Sequence, residues 1–381
     1  MIYLDNGATT LKKPDVVKEA VMAALDHLGN AGRGGTETAL SSARVIFEAR
    51  ERLNRLINGE SADHIVFTAN ITESLNTAIQ GLFKPGDHII TTALEHNSVL
   101  RPCYLMAERG VELTILPADE KGNIHLSNLK ATIRPNTKGI VVTHASNLTG
   151  NITPVKEISR IAHEHGVLVI LDAAQTCGAR PIDVKDLDVD VFCFTGHKSL
   201  MGPQGTGGMY IRPGVDIAPL KAGGTGIDTF SHTQPAEYPT HLEAGTMNSH
   251  GIAGLSAAVG YLLEYGVDRI EQEEMALYQR FIQGVRDLPN VTLYGDIDAT
   301  AHAPIVTLNI GDMDSADVGM ALADRYDIIV RTGGHCAPLM HQTFHTEQQG
   351  AVRFSLSHYT TTAEIDTAIQ AVREIATETM P

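Results

Sequence analysis

Residues 189–211 read VDVFCFTGHKSLMGPQGTGGMYI, and this stretch indicates the fold class. A buried apolar strand predicted at 189–194 runs straight into Gly196-His197-Lys198, and a glycine-rich stretch then leads into a second apolar strand. Burial of a lysine at a strand end disfavours its charged form, which favours a Schiff base with a carbonyl cofactor. A lysine that reaches solvent from a turn explains this segment equally well. A dinucleotide fingerprint does not, because the glycines at 205–208 open a strand and lack the GxGxxG spacing.

Apolar runs and amphipathic segments alternate through the first two thirds of the chain. The runs are short and rich in Val, Ile and Phe, as expected of buried strands, and the segments between them have helical periodicity. Further strands are predicted at 65–68, 88–92, 139–143 and 167–171. Helices are predicted at 73–83, 99–109 and 154–165. This alternation predicts an α/β fold with a mainly parallel sheet and helices on both faces.

The last third of the chain has a different pattern. Predicted long helices at 255–265 and 269–288 precede strands at 291–294 and 304–309, which indicates a smaller α+β domain. The length of 381 residues exceeds the roughly 250–300 residues beyond which single cores usually divide. We therefore predict a large domain over 16–255, and a small domain formed by 1–15 and 256–381 that shares one cleft with it.

Composition and charge restrict the possible partners. The formal net charge of −16 opposes binding to nucleic acid or to an anionic membrane, since both demand clustered Lys and Arg. No run approaches the ~20 apolar residues of a membrane span, and MIYLDNGATT lacks the basic and apolar regions of a signal peptide. The 4 cysteines are too few and scattered for a disulfide scaffold. We expect a cytoplasmic protein with neither kind of partner.

A second strand end carries a carboxylate. Asp172 follows the apolar run 166–171 in LDAAQ, and open α/β sheets bind ligands at the carboxyl ends of their strands. Asp172 and Lys198 at neighbouring strand ends are the pair that pyridoxal 5′-phosphate (PLP) requires. The carboxylate pairs with the protonated pyridine nitrogen, while the lysine holds the aldehyde. A plain helix N-cap is the alternative role for Asp172.

A third strand end precedes a candidate phosphate site. In TANITE, Asn70 and Glu73 resemble a capping box at the start of a helix, and Thr72 adds a hydroxyl in its first turn. Backbone N–H groups at a helix N-terminus bind anions. The motif therefore predicts a phosphate site, with an ordinary capped helix as the alternative.

Three further side chains lie where they can serve a ligand. His96 follows the strand at 88–92 and could stack on a cofactor ring or relay protons, although a lone loop histidine usually does neither. Asn147 follows the strand at 139–143 and could supply an amide to a ring hydroxyl. Arg353, in the apolar VRFSLSHY, could clamp a substrate carboxylate with two parallel hydrogen bonds. An ordinary buried ion pair is its alternative role.

Cys336 lies in RTGGHCAP, whose glycines and proline predict a loop. The neighbouring Arg331 and His335 favour the thiolate, which is the nucleophilic form of cysteine. A zinc site formed by Cys336, His341 and His345 is a competing interpretation. No second CxxC or HxxH pair completes a tetrahedral set, so we expect no metal.

Together these motifs resemble the class V aminotransferase family of fold-type I PLP enzymes. Within that family the chain most resembles the cysteine desulfurases of the SufS-like group, which share their fold with selenocysteine lyases. The resemblance covers nearly the whole chain. It rests on YLDNGATT (3–10), TANITESLN (68–76), LEHNSV (94–99), SNLTGNITPVKEI (146–158), LDAAQT (171–176), FTGHKSLMGPQGTGG (194–208), EAGTMN (243–248), RTGGHCAP (331–338) and VRFSLSHY (352–359).

The resemblance implies a role for each matching residue. Lys198 would hold the cofactor and Asp172 would pair with its ring nitrogen, while Arg353, together with Arg331, would bind the substrate carboxylate. Cys336 would be the sulfur-accepting nucleophile. The remaining positions would bind the cofactor: His96 by stacking on the ring, Gln175 and Asn147 near the ring hydroxyl, and Thr72, Thr195, His197 and Thr246 at the phosphate. Thr246 would reach across from the second subunit of a homodimer.

Three positions depart from the family pattern. Gly334 stands where the family usually has the first of two histidines before the cysteine. The loop mobility known in the family, and any role of the missing histidine, therefore need not apply to this chain. Thr195 replaces a common serine and keeps the hydroxyl. Met247 replaces the proline of the commoner EAGTPN, which leaves Thr246 in place with a less rigid backbone after it.

The implied activity converts L-cysteine to L-alanine. Lys198 would take the Cα proton as general base, and the thiolate of Cys336 would attack the substrate sulfur. The resulting persulfide would pass to an acceptor protein or thiol, for uses such as iron–sulfur cluster assembly. A selenocysteine lyase acting on L-selenocysteine is the nearest alternative, followed by a transaminase or β-eliminating lyase on the same fold. A non-catalytic scaffold is disfavoured because Lys198, Asp172 and Cys336 are all present.

Overall fold

The computed structural model describes residues 1–29 and 37–378, with side chains for all of these except 37–39. The strands are β1 (Ile2–Tyr3), β2 (Ile65–Thr68), β3 (His88–Thr92), β4 (Glu112–Leu116), β5 (Thr137–Thr143), β6 (Leu168–Asp172), β7 (Val191–Thr195), β8 (Gly207–Ile211), β9 (Val291–Tyr294), β10 (Ile305–Ile310), β11 (Ile328–Ile329), β12 (Arg331–Gly333) and β13 (Ala351–Ser355). The helices are α1 (Asp15–His27), α2 (Glu37–Leu56), α3 (Ile71–Leu82), α4 (Asn97–Glu108), α5 (Leu126–Thr132), α6 (Val155–His163), α7 (Ser249–Tyr265), α8 (Val267–Val285), α9 (Ser315–Tyr326), α10 (Pro338–Phe344) and α11 (Thr362–Glu378). Within this described part of the chain, no helix is long and apolar enough to cross a membrane.

The largest sheet has 7 strands in the order β2-β8-β7-β6-β5-β3-β4. Strands β4, β3, β5, β6 and β7 run parallel, and β8 is antiparallel to both of its neighbours. Every residue of β7 is buried, which explains its continuous apolar run, because a strand covered on both faces shows no alternation. The predicted α/β class and mainly parallel sheet are confirmed.

The apolar runs located most strands correctly. Strands β2, β3 and β9 have the predicted bounds, and the other predicted strands differ by one or two residues at either end. The unpredicted strand β4 lies at the edge of the large sheet and is only partly buried. Its sequence ELTIL mixes polar and apolar residues, so it lacks the run that marks a central strand. Helix α7 begins at Ser249, six residues before the predicted start.

Two smaller sheets involve the C-terminal third. One is antiparallel with the order β12-β13-β10-β9, and in the other β1 pairs in parallel with β11. Leu4 belongs to the same buried apolar cluster as Phe281 and Phe354, apart from the clusters around the large sheet. The N-terminal segment thus packs with the C-terminal part. The division of domains at residue 255 stays a prediction. Helix α7 is continuous through that residue, and it packs on α1 and α2.

The topology brings the ends of six strands to one edge of the large sheet, among them β4, which ends at Leu116. Strands β2, β3, β5, β6 and β7 share its direction, and they end at Thr68, Thr92, Thr143, Asp172 and Thr195. The loop after each strand therefore opens at this edge, where α/β sheets bind ligands.

Candidate active site

A cleft of about 210 Å³ opens at this edge. It gathers ten of the residues predicted from sequence, and their roles stay predictions: Thr72, His96, Asn147, Asp172, Gln175, Thr195, His197, Lys198, Arg331 and Arg353. Residues that the sequence did not single out also line it, namely Gly7, Ala8, Ile71, Ser98, Thr143 and Ala174. Residues from eight separate chain segments therefore meet in one cleft.

Lys198 and Asp172 come from adjacent strands. Asp172 ends β6 opposite Cys193 of β7, and Lys198 follows β7 in the next turn. Asp172 is 2% exposed, and its Oδ1 accepts a hydrogen bond from the Ala174 amide at 2.9 Å. Burial raises the pKa of Asp172, although the Ala174 amide and Lys198 oppose this. Burial lowers the pKa of Lys198 to about 8, against the attraction of Asp172. The lysine is thereby closer to the unprotonated form that a nucleophilic amine or a base requires.

The start of α3 is capped by two side chains. Asn70 caps this helix, since its Oδ1 accepts from the Glu73 amide at 3.0 Å, and the Glu73 carboxylate accepts from the Ala69 amide at 2.7 Å. The predicted capping motif is confirmed. The next amides of the first turn lack intrahelical partners, and Ile71 and Thr72 line the cleft. A capped helix and an anion site are therefore compatible here.

Two threonine hydroxyls are of interest for the predicted phosphate site. The Thr72 hydroxyl lies 2.8 Å from that of Ser98. The Thr195 hydroxyl is buried and has no hydrogen-bond partner within the described part of the chain. This hydroxyl is therefore available to hydrogen-bond a ligand or a water molecule.

His96 is a neutral, oriented imidazole. It caps α4, and its Nδ1 accepts from the Ser98 amide at 3.0 Å. Burial, followed by the charges of Lys198 and Arg331, lowers the pKa of His96 to about 4. Because Nδ1 accepts, the single ring proton at pH 7 lies on Nε2.

Glu95, next to it, was not predicted. It is fully buried and accepts from the Thr92 hydroxyl at 2.6 Å and the Thr143 amide at 3.1 Å. Burial raises the pKa of Glu95 to about 8, with a further contribution from Asp172. Glu95 is therefore mainly protonated at pH 7, and it ties the end of β3 to the end of β5.

Arg353 both lines the cleft and makes an ion pair. It is 2% exposed, its Nη2 donates to Asp5 Oδ1 at 2.8 Å, and its Nη1 donates to the Asn147 carbonyl at 2.9 Å. Its Nε has no partner among the residues described. Arg353 therefore forms the buried ion pair that was its alternative role and also lines the cleft. Its partner Asp5, 348 positions away, was not predicted. Arg331 lies directly opposite Arg353 in the β12–β13 pair.

Two amides predicted to lie near the ring hydroxyl are found in the cleft. Gln175 Nε2 donates to the Gly7 carbonyl at 3.1 Å. Asn147 Nδ2 donates to the His335 carbonyl at 2.8 Å, and its Oδ1 is buried without a partner in the described residues.

Cys336 lies outside the cleft-lining set, in the loop that follows β12. It is exposed, whereas Cys103, Cys177 and Cys193 are buried. The preceding His335 lines the cleft and stacks on His341, with ring centroids 5.7 Å apart. No group of three or more potential metal ligands comes together anywhere in residues 1–29 or 40–378.

The other two departures from the family pattern are Gly334 and Met247. A Cβ added at Gly334 would meet no described atom within 4 Å, and the residue's φ lies outside the left-handed region. Packing therefore does not demand glycine there. Met247 is partly buried and follows the exposed Thr246, and both lie beside Glu243, apart from this chain's cleft.

The residues present fit PLP. A lysine of lowered pKa can bind the aldehyde, a buried carboxylate can pair with the ring nitrogen, and a helix N-terminus with nearby hydroxyls can take the phosphate. The unpaired Thr195 Oγ1 and Asn147 Oδ1 supply the polar contacts that such a ligand needs.

Comparison with known proteins agrees with this chemistry. The family model for class V aminotransferases matches residues 2–367. A probable cysteine desulfurase from Methanothermobacter thermautotrophicus is 36% identical over 98% of this chain and 94% of its own. The apo structure of a cysteine desulfurase from Thermococcus onnurineus superposes with a TM-score of 0.91, at 34% identity over 99% of this chain and 95% of that one. The Escherichia coli cysteine desulfurase CsdA gives 0.88, at 29% identity over 100% and 95%.

These likenesses extend over the full cleft-bearing structure, so the fold is the fold-type I architecture of those enzymes. The class V aminotransferases are a PLP-dependent family, which agrees with the fit of the cleft. Since the family model and relatives more than 30% identical both cover almost the entire length, the chain belongs to the class V aminotransferase family.

Proposed function

We propose that this protein is a PLP-dependent cysteine desulfurase that converts L-cysteine to L-alanine and carries the sulfur on Cys336. The observation that carries the proposal is the joint presence of Lys198, Asp172 and Arg353 in one cleft, with an exposed cysteine on the adjoining loop. The cysteine desulfurases among its relatives support the same reaction.

PLP supplies an electron sink that stabilises negative charge at the substrate Cα. Lys198 would hold it at the aldehyde, Asp172 at the ring nitrogen and the start of α3 at the phosphate, and His96 would stack on its ring. A neutral His96 can stack without placing a second positive charge beside Lys198.

Substrate binding depends on the arginine pair. Arg353 and Arg331 line the same cleft, and a guanidinium binds a carboxylate through two parallel hydrogen bonds. With the carboxylate held there, the amine of Lys198 accepts the Cα proton. The lowered pKa of Lys198, about 8, leaves a useful unprotonated fraction near neutral pH.

Sulfur transfer is carried out by Cys336. Its thiolate attacks the substrate sulfur, so the S–S bond of a persulfide forms as the substrate C–S bond breaks and the electron pair returns to carbon. Protonation of this carbon, Cβ, together with return of the proton from Lys198 to Cα, gives L-alanine. Because Cys336 is exposed, an acceptor protein or a small thiol can reach the persulfide from solvent.

We also propose a homodimer. Thr246 is exposed and apart from this chain's cleft, so it can contribute to a phosphate site only in a second copy. Its neighbours Glu243 and Met247 are partly buried.

The experiment is release of alanine from L-cysteine plus a reductant, measured for wild type and Cys336→Ala. We expect alanine from the wild type, and a loss of at least about a hundredfold in the variant, as is usual when a catalytic nucleophile is removed. Mass spectrometry should find the added sulfur on the peptide that contains Cys336. L-Selenocysteine is assayed alongside as the alternative substrate.

Cys177→Ala is the matched control, because it removes a thiol that is buried and whose pKa burial raises to about 12. It should keep alanine release. Full activity of Cys336→Ala, or pyruvate in place of alanine, would contradict the proposed mechanism.

A further inference from the structure

The Asn147 side chain is tied to the loop of Cys336. Its Nδ2 donates to the His335 carbonyl at 2.8 Å in a buried hydrogen bond, although the two residues are 188 positions apart. Asn147 follows β5 of the large sheet, whereas His335 follows β12 of the antiparallel sheet. The bond therefore crosses between the two sheets at the cleft.

The loop needs such anchors because of its backbone conformation. His335 and Cys336 have φ values of 50° and 55°, in the left-handed region that non-glycine residues disfavour. Two carbonyl groups of this turn accept hydrogen bonds from outside the loop. The His335 carbonyl accepts from the Asn147 side chain, and the Cys336 carbonyl accepts from the Asn97 amide at 2.8 Å. The Asn97 amide is at the start of α4, directly after His96.

The same asparagine also contacts the predicted substrate clamp. Its backbone carbonyl accepts from Arg353 Nη1 at 2.9 Å. One residue thus lies between the guanidinium that would hold the substrate carboxylate and the loop that carries the nucleophile.

The two ends of the Asn147 amide are used differently. The nitrogen is occupied by the His335 carbonyl, and the oxygen is buried with no partner in the part of the chain described. A contact with a cofactor hydroxyl and a hydrogen bond to the loop are therefore compatible in one side chain.

We propose that Asn147 is a positioning residue that anchors the Cys336 loop beside the cleft, in fixed relation to Arg353. Its purpose rests on the proposed function, because sulfur transfer requires the thiolate to be held near the bound substrate. The anchor itself is a property of the fold and can be measured separately.

The test is hydrogen–deuterium exchange of the PLP-loaded protein, read by mass spectrometry on peptides that contain Asn97 and residues 333–337. Asn147→Asp replaces the N–H donor with oxygen at constant size, and Asn147→Ala removes the donor without adding charge. Loss of one buried hydrogen bond should speed exchange at the Asn97 amide and in the loop by about tenfold. Asn128→Asp makes the same chemical change at an exposed position of α5 and should leave exchange unchanged.

Persulfide formation on Cys336 in a single turnover should slow by about tenfold in both Asn147 variants, while the thermal midpoint stays near that of the control. Wild-type exchange in both Asn147 variants overturns the anchor. So does a change confined to cofactor absorbance, which would limit Asn147 to a ring contact. A wild-type protein that releases no alanine from L-cysteine overturns the proposed function instead, and the exchange result still decides whether the loop is anchored.

Discussion

Replacing Lys198 with methionine should stabilise the cofactor-free protein. Burial lowers the pKa of Lys198 from 10.5 to about 8, and each pKa unit corresponds to about 1.36 kcal/mol. A protonated Lys198 therefore destabilises the folded state by about 3 kcal/mol. Methionine has a similar length and no charge, so Lys198→Met removes this penalty. The side chain borders an open cleft, which makes about 3 kcal/mol an upper value.

The gain depends on pH in a defined direction. The folded pKa lies below the unfolded one, so between about pH 8 and pH 10.5 the unfolded chain binds more protons and the wild type gains stability as pH rises. The penalty is fully present below about pH 8. The difference between Lys198→Met and wild type should be about 3 kcal/mol at pH 7, about 2 at pH 9 and below about 1 at pH 10.

Urea unfolding of both proteins without cofactor measures the difference. The chain has 10 Tyr and 0 Trp, so tyrosine fluorescence and circular dichroism are the probes, and their transitions must coincide. Lys130→Met, at an exposed position of α5, is the control and should change the free energy of unfolding by less than about 0.5 kcal/mol. A Lys198→Met protein no more stable than wild type at pH 7, or a gain that does not fall by pH 10, would refute the reasoning.

Two further substitutions probe the arginine clamp and the cysteine loop. Arg353→Lys should raise the KM for L-cysteine by about ten- to a hundredfold in steady-state assays, because an ammonium cannot form two parallel hydrogen bonds with a carboxylate; an unchanged KM would place the carboxylate elsewhere. Gly334→His should alter the free energy of unfolding by less than about 0.5 kcal/mol in urea titrations, since an added Cβ meets no described atom within 4 Å. A larger loss would mean that the loop depends on glycine.

The parts of the fold that sequence predicted share a local cause. Central strands such as β7 are buried on both faces, so their burial appears directly as an apolar run. The cap of α3 is equally local, because Asn70 and Glu73 are three residues apart. The carboxyl-end rule then places the residues after several strands at one edge, although it gives no distances between them.

The parts that sequence did not predict depend on pairings between distant segments. Strand β8 pairs antiparallel with both β2 and β7. The hydrophobic periodicity of a strand gives neither its direction nor its neighbours in the sheet. The partner of Arg353 is Asp5, and the resemblance of YLDN to the family gave no role for that carboxylate. Glu95 lies beside His96 in a matched motif, but its burial depends on the packing of β3 against β5.

The N-terminal ten residues connect these distant pieces. Leu4 donates its amide to the Ile329 carbonyl at 2.8 Å, which attaches the segment to β11. The carboxylate of Asp5 then binds Arg353, and the Gly7 carbonyl accepts from Gln175.

The same segment reaches the turn that carries Lys198. The Thr10 hydroxyl donates to the Lys198 carbonyl at 3.0 Å, and the Thr9 hydroxyl lies 3.0 Å from His197 Nδ1. A segment that adds no strand to the large sheet therefore contacts both the guanidinium expected to bind the substrate and the turn whose amine is expected to take its proton. The relative placement of these two groups is set by long-range contacts of residues 4–10. For this reason the sequence around Lys198 or around Arg353 predicts the chemical role of each side chain, but it does not predict how the two side chains lie relative to each other.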